Sequence, residues 1–225
     1  MARSELKRSG AKAGTHLRKK KILASARKLF WQKGYHSVGM RDLARAYGCQ
    51  PANLYNYFET KEAILFEMLR EEMERIIQSI ERFEEEDGDA VEQLRFIIAS
   101  HVKAILSRPR SGKALFDVAL GILSRRNRNV IVSMRDTYER ILRKVLRRGQ
   151  EQKVFLTCDE KLVGVLIASM VTRTKMWFHP QKGATVDELA DLIFRFALGA
   201  IQADETPHDA LWRTKGRMGK GIKPI

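Results

Sequence analysis

Apolar residues recur every three or four positions along almost the whole chain, the repeat of a helix that buries one face and wets the other. Ile22, Leu23, Ala26, Leu29 and Phe30 form the first stripe, which Gly34 ends in a C-cap position. Leu65, Met68, Leu69, Met73, Ile76, Ile77 and Ile80 predict a long helix over about 60–86, closed by Asp87-Gly88-Asp89. Val91, Leu94, Ile97, Ile98, His101, Val102 and Ile105 continue the repeat as far as Pro109. Leu115, Val118, Ile122 and Leu123 mark a shorter helix, and Ile131, Met134, Tyr138, Ile141, Leu142 and Val145 a longer one that stops near Gly149. Thr157-Cys158-Asp159-Glu160 and Thr185-Val186-Asp187-Glu188 read as capping boxes, so they predict helices at about 158–178 and 186–202, with Pro180 and Gly183 breaking the chain between them. Val154-Phe155-Leu156 is too short to count as a strand. The pattern is all-α, with about nine helices, a disordered basic arm over 1–14 and a flexible basic tail over 204–225.

One segment departs from simple amphipathic spacing. From Gly39 to Phe58 the pattern gives two short helices and a tight turn. The first, over about 39–47, buries Leu43 and keeps Ala44 small where a second helix crosses. Gly48 can adopt the left-handed conformation of the turn, and Pro51 suits the first position of the next helix. That is the spacing of a helix-turn-helix, whose second helix enters the major groove of DNA. Leu54 and Phe58, four residues apart, face inward and leave Gln50, Pro51, Ala52, Asn53, Tyr55, Asn56 and Tyr57 on the outer side. Gln and Asn pair with adenine edges, Ala52 can touch a thymine methyl, and the Tyr hydroxyls reach phosphate. Arg41 and Lys61, the latter in the first turn of the following helix, are candidate backbone contacts. For either Tyr alone, ordinary packing remains an alternative.

Charge supports that reading by its placement. The 225 residues carry 42 Lys+Arg against 27 Asp+Glu, a formal charge of +15. Residues 1–58 hold 13 basic and 2 acidic side chains, whereas 59–89 hold 4 basic and 12 acidic. A basic head of this kind suits a polyanion, because each phosphate it neutralises releases condensed counterions. No apolar run is long enough for a membrane-spanning helix or a signal peptide, which points to the cytoplasm. Cys49 and Cys158, 109 positions apart, form neither a disulfide scaffold nor a zinc site, and no metal or cofactor is expected.

The phrase Arg41-Asp42-Leu43-Ala44, then Gly48, Leu54-Tyr55-Asn56-Tyr57-Phe58 and Lys61-Glu62, resembles the TetR family of one-component bacterial repressors, most strongly over Lys20 to Leu69. Val38 and Gly39 stand where family members often place Thr followed by Ser or Thr, so either Ser37 or Gly39 must cap the second helix. Tyr57 stands in place of a frequent His. The resemblance implies a helix-turn-helix domain over 15–62 and a ligand-binding and dimerisation domain over 63–203. It also implies a homodimer, formed by the last two long helices, on a palindromic operator in the bacterial cytoplasm and nucleoid. Leu162, Val163, Leu166, Ile167, Met170 and Val171, with Leu189, Leu192, Ile193, Phe196 and Ile201, give more apolar face than a short bundle buries alone.

Arg125-Arg126-Asn127-Arg128, Met134 to Glu139 and Lys175 to Pro180 further resemble members that regulate fatty-acid or sterol breakdown and respond to acyl-coenzyme A. In that branch the basic second domain attracts the phosphates of coenzyme A, and Phe116, Leu120, Met134, Tyr138, Met170 and Trp177 are candidates for an acyl channel. His101, on an apolar stripe, reads either as a hydrogen-bonded core residue or as a ligand contact. Trp177-Phe178-His179 reads equally as a hinge cap or a dimer contact. Other readings are a repressor of the same fold answering a hydrophobic ligand without coenzyme A, as in drug efflux, a nonspecific architectural DNA-binding protein, and a helical acyl-thioester enzyme. The enzyme lacks its parts, since the chain has no Gly-rich phosphate loop, paired nucleophile and base, or metal-ligand spacing.

Overall fold

The structure, a computed structural model, describes residues 2–106, 120–179 and 183–203. Helix α1 spans Ala2–Lys33, α2 Met40–Tyr47, α3 Pro51–Tyr55, α4 Lys61–Ile80, α5 Ala90–Leu106, α6 Arg125–Glu151, α7 Glu160–Trp177 and α8 Val186–Ile201. A 3-10 turn over Glu81–Glu84 extends α4. Among the described residues the one strand-like feature is an isolated antiparallel bridge between Phe155 and Gln202. Most of the predicted short helix, with Leu115, Val118 and the candidate ligand residue Phe116, lies outside the described residues, as do Pro109, Pro180 and the tail.

Three boundaries differ from the sequence expectation. Helix α1 begins at Ala2, within the stretch where a disordered arm is expected; 2–14 holds the helix formers Ala, Arg, Glu, Leu and Lys and no proline, alongside Ser4, Ser9, Gly10 and Gly14. The long helix ends at Ile80 rather than Glu86, because the last turn tightens to 3-10 geometry. Asp159, not Thr157, caps α7, its carboxylate accepting from Lys161 N at 2.9 Å and Leu162 N at 3.0 Å. Aspartate is among the strongest N-caps, and here its side chain satisfies two orphan amides at once. The other capping box forms as expected, with Glu188 N donating to Thr185 Oγ1 at 3.1 Å and Thr185 N to Glu188 at 2.7 Å.

Two apolar cores organise the chain. The first gathers Ile22, Leu23, Ala26 and Phe30 of α1, Leu43 and Ala44 of α2, Leu54, Phe58, and Ile64, Leu65, Met68 and Leu69 from the first half of α4. Leu123, just before α6, and Ile131, in its second turn, belong to this same core. The second lies around α5, which packs against α4, α6, α7 and α8. Helix α4 therefore roots in both cores, and Met134 of α6 packs against both. The packing does not divide at Glu62 and Ala63, where the sequence places its domain boundary.

Candidate nucleic-acid interface and ligand cavity

The head is built around a turn that only a few residues permit. Gly48 sits at φ 82°, ψ 36°, in the left-handed region where a side chain is strained, and its N–H and that of Cys49 both return to Ala44 O at 2.9 Å. Gly39 is the N-cap of α2; it has no side chain to offer, and the cap runs one way only, Gly39 N donating to the Asp42 carboxylate at 2.9 Å. Pro51 opens α3 after Gln50, and Asn53 N and Leu54 N return to Gln50 O. The α-helical part of α3 is five residues long, continued by turn bonds from Tyr57 N and Phe58 N to Leu54 O.

With Leu54 and Phe58 buried, Arg41, Gln50, Ala52, Asn53, Tyr55 and Asn56 are exposed together, while Pro51 and Tyr57 are half-buried. Tyr57 accepts from Arg18 at 3.3 Å, which ties α3 to the basic face of α1. Lys61 is placed differently from the expected phosphate contact. Its Nζ donates to Tyr35 O at 2.9 Å and Val38 O at 2.7 Å and lies 4.3 Å from the centre of the Tyr35 ring. The start of α4 packs beneath the turn before α2, and the ammonium satisfies carbonyls there; burial lowers its pKa. Lys61 thus braces the head from inside.

Beside it, Glu62 reaches a segment more than sixty positions along the chain. Its carboxylate accepts from Ser124 N at 2.8 Å and Asn127 Nδ2 at 2.9 Å, at the N-terminus of α6. The Ser124 amide, foremost, holds its pKa below the ordinary carboxylate range.

Further along the same helices lies a cavity of about 910 Å³. Helix α4 supplies Glu72, Met73 and Ile76; α5 supplies His101 and Ile105; Leu120, Arg135, Tyr138 and Glu139 come from α6 and the residues before it, and α7 supplies Val165, Ala168, Ser169, Thr172, Arg173 and Lys175. Arg135, Val165, Ser169 and Arg173 are exposed and form the mouth. Of the predicted ligand residues, His101, Leu120 and Tyr138 line this space. Met134 and Met170 pack against the cores instead, and Trp177 lies exposed on a separate surface depression with Phe178, Leu192 and Arg195.

Two polar pairs sit on the buried side. Lys175 Nζ bonds Glu72 at 2.9 Å, and His101 Nδ1 meets Tyr138 Oη at 2.9 Å with the rings 4.9 Å apart. The sequence reading missed the first pair, since its members lie 103 residues apart. Glu72 did carry a signal: an acid three and four residues from Leu69, Met68 and Ile76 falls on the buried face. Burial, helped by the charge of Lys175, lowers the pKa of His101 from 6.5 to about 4, and burial raises that of Tyr138.

A pH dependence follows. Between pH 6.5 and 4 the unfolded chain binds a proton at His101 that the folded chain refuses, so this stabilisation is complete above pH 6.5 and declines as pH falls towards 4. Denaturant titrations across that window should show His101→Phe losing less stability on acidification than the parent chain, by up to about 3 kcal/mol. Parallel pH profiles would refute the assignment.

Residues 22–68 match the sequence profile of the bacterial regulatory proteins of the tetR family, and residues 87–201 match the tetracyclin repressor-like C-terminal domain. The chain belongs to the TetR family of transcriptional regulators. The TetR-family regulator PfmR of Thermus thermophilus is 32% identical; the likeness covers 79% of this chain and 97% of that one, with a TM-score of 0.73. AibR, solved in complex with isovaleryl coenzyme A and operator DNA, shares the fold at 21% identity and a TM-score of 0.70, over 80% and 97% of the two chains. An HTH-type transcriptional regulator of Mycobacterium tuberculosis is 38% identical over 66 residues, 29% of this chain, which spans about a third of that relative's length. Among the described residues, no helix of this TetR-family chain is long and apolar enough to cross a membrane.

Proposed function

We propose that this TetR-family regulator is a repressor that grips a palindromic operator as a homodimer and is released by an acyl-coenzyme A thioester. The observation that carries the reading is the double membership of α6. Around its N-terminus, Leu123 and Ile131 complete the core of the head and Glu62 clasps Ser124 and Asn127; one and two turns beyond Ile131, Arg135 and Tyr138 wall the cavity. An occupant that shifts α6 moves the scaffold on which α3 is set. DNA affinity then falls by the ratio of the effector's affinities for the two arrangements.

Arg135 and Arg173 at the mouth suit the phosphates of coenzyme A, and Met73, Ile76, Ile105 and Leu120 offer an apolar bed for an acyl chain. AibR, with its thioester and operator, is a precedent of the same fold. Gel shifts against genomic fragments test the DNA half of the reading. The parent chain should select one fragment over unrelated duplexes by roughly a thousandfold or more. Asn53→Ala and Asn56→Ala should each weaken that complex by about 1–3 kcal/mol. Equal binding to all fragments would overturn the proposal.

A further inference from the structure

The cavity is bordered by a buried histidine with one ring nitrogen that has no partner among the described residues. His101 borders the space and is 93% buried, only 7% of its surface being exposed. Its Nδ1 is taken by Tyr138 at 2.9 Å, and Nε2 has no hydrogen-bond partner among the described residues. Nε2 is not among the sealed, unpartnered polar atoms of the described residues, and the residue itself lines the cavity. Buried polar groups are paired in nearly all native structures, and one left open towards a cavity marks where a ligand atom belongs.

The pair also fixes what Nε2 can offer. A neutral imidazole nitrogen is a better acceptor than a phenol oxygen, so Tyr138 donates to Nδ1 and the ring carries its proton on Nε2. The ring stays neutral because burial and the neighbouring Lys175 disfavour the imidazolium. Glu72, the nearby acid on this floor, is already paired with Lys175. The same cavity is lined by the apolar side chains Met73, Ile76 and Ile105 and by the hydroxyls of Ser169 and Thr172. His101 thus offers an uncharged, directed donor from the buried side of the cavity, which matches an uncharged acceptor such as a carbonyl oxygen.

We propose that His101 is the group that reads the carbonyl of the effector: Nε2–H donates to the thioester oxygen while Tyr138 holds the ring in register. The inference rests on the acyl-thioester reading of the cavity and adds to it a specific acceptor. It makes the site selective for thioesters over molecules of equal length and charge that lack the carbonyl.

The test pairs octanoyl-coenzyme A with S-octyl-coenzyme A, the thioether in which a methylene replaces the carbonyl, with butanoyl and palmitoyl thioesters covering other chain lengths. Calorimetry should show the parent chain preferring the thioester roughly tenfold, the loss expected when a buried donor goes unpaired. His101→Phe should bring that ratio to about one, and Tyr138→Phe, which keeps the imidazole but frees its orientation, should reduce it in part. Should His101→Phe fail to fold, nitrogen-15 spectra of the parent chain still decide, since the Nε2 resonance should move with octanoyl-coenzyme A and not with the thioether. Equal affinity for the two ligands with Nε2 unmoved, or a preference that survives in His101→Phe, overturns the role of His101 and leaves the effector class standing. Binding of none of the thioesters overturns both.

Discussion

Leu166→Glu combined with Phe196→Glu is expected to leave a folded monomer that no longer holds operator DNA. The side chains are 64% and 70% exposed in the single chain, and Leu162 and Leu192 flank them on the same two helices. In the proposed homodimer these large exposed apolar residues are the surface that the partner covers. Burying each of these side chains across a two-fold interface contributes about 1.5–3 kcal/mol. The double substitution instead places four carboxylates at the junction, each costing several kcal/mol to desolvate. Light scattering should show half the parent mass at micromolar concentration. Operator affinity should fall by at least about a thousandfold, because one head then binds one half-site alone. An unchanged mass would mean that the interface lies elsewhere. Far-ultraviolet dichroism serves as the control, since both positions are exposed and the helices should persist.

Gly149→Ala should lower stability, although within a helix that exchange ordinarily gains about 1 kcal/mol. Gly149 lies near the end of α6, buried, and a methyl group there would fall inside the ring of Phe155. Phe155 cannot simply swing away. Its N–H and that of Val154 both return to Gly149 O at 3.0 Å, and the next residues join α8, Leu156 N to Ile201 O at 2.7 Å and Ala203 N to Val154 O at 3.1 Å. The ring is thus clamped between the end of α6 and the end of α8. Overpacking at such a site costs about 1–3 kcal/mol, and more if the aromatic ring is expelled. The midpoint of thermal unfolding should drop by roughly 5–10 °C. A rise would show that the contact is looser than drawn.

The helices were legible because their apolar stripes are long and regular, and the head because its turn chemistry is local. Gly48, Pro51 and the inward pair Leu54 and Phe58 all act within a dozen residues of one another, so spacing alone places them. The same logic failed at the N-terminus of α7, where a Thr157–Glu160 capping box is expected and Asp159, two residues on, makes the cap instead. For Lys61 the local pattern says less. A lysine in the first turn of a helix reads as exposed, and nothing local reveals that the carbonyls of Tyr35 and Val38, 26 and 23 residues earlier, need a donor. The cavity was half legible for a related reason. His101 and Tyr138 lie on apolar stripes and face inward, but which inward residues border empty space depends on how four helices cross. Met134 and Met170 have the same spacing signature, and packing fills the room around them. Arg135, Arg173 and the Glu72–Lys175 pair come from contacts between distant segments that no window of sequence contains.

The way Leu123 and Ile131 plug the head carries a lesson for anyone who would recombine regulators. A reading module cut out after α4 and spliced onto a foreign sensor would arrive with two holes in its floor and a carboxylate, Glu62, facing no amide. Chimeras of this protein should therefore be joined so that the first turns of α6 travel with the DNA-facing part, even though more than forty residues of chain separate them.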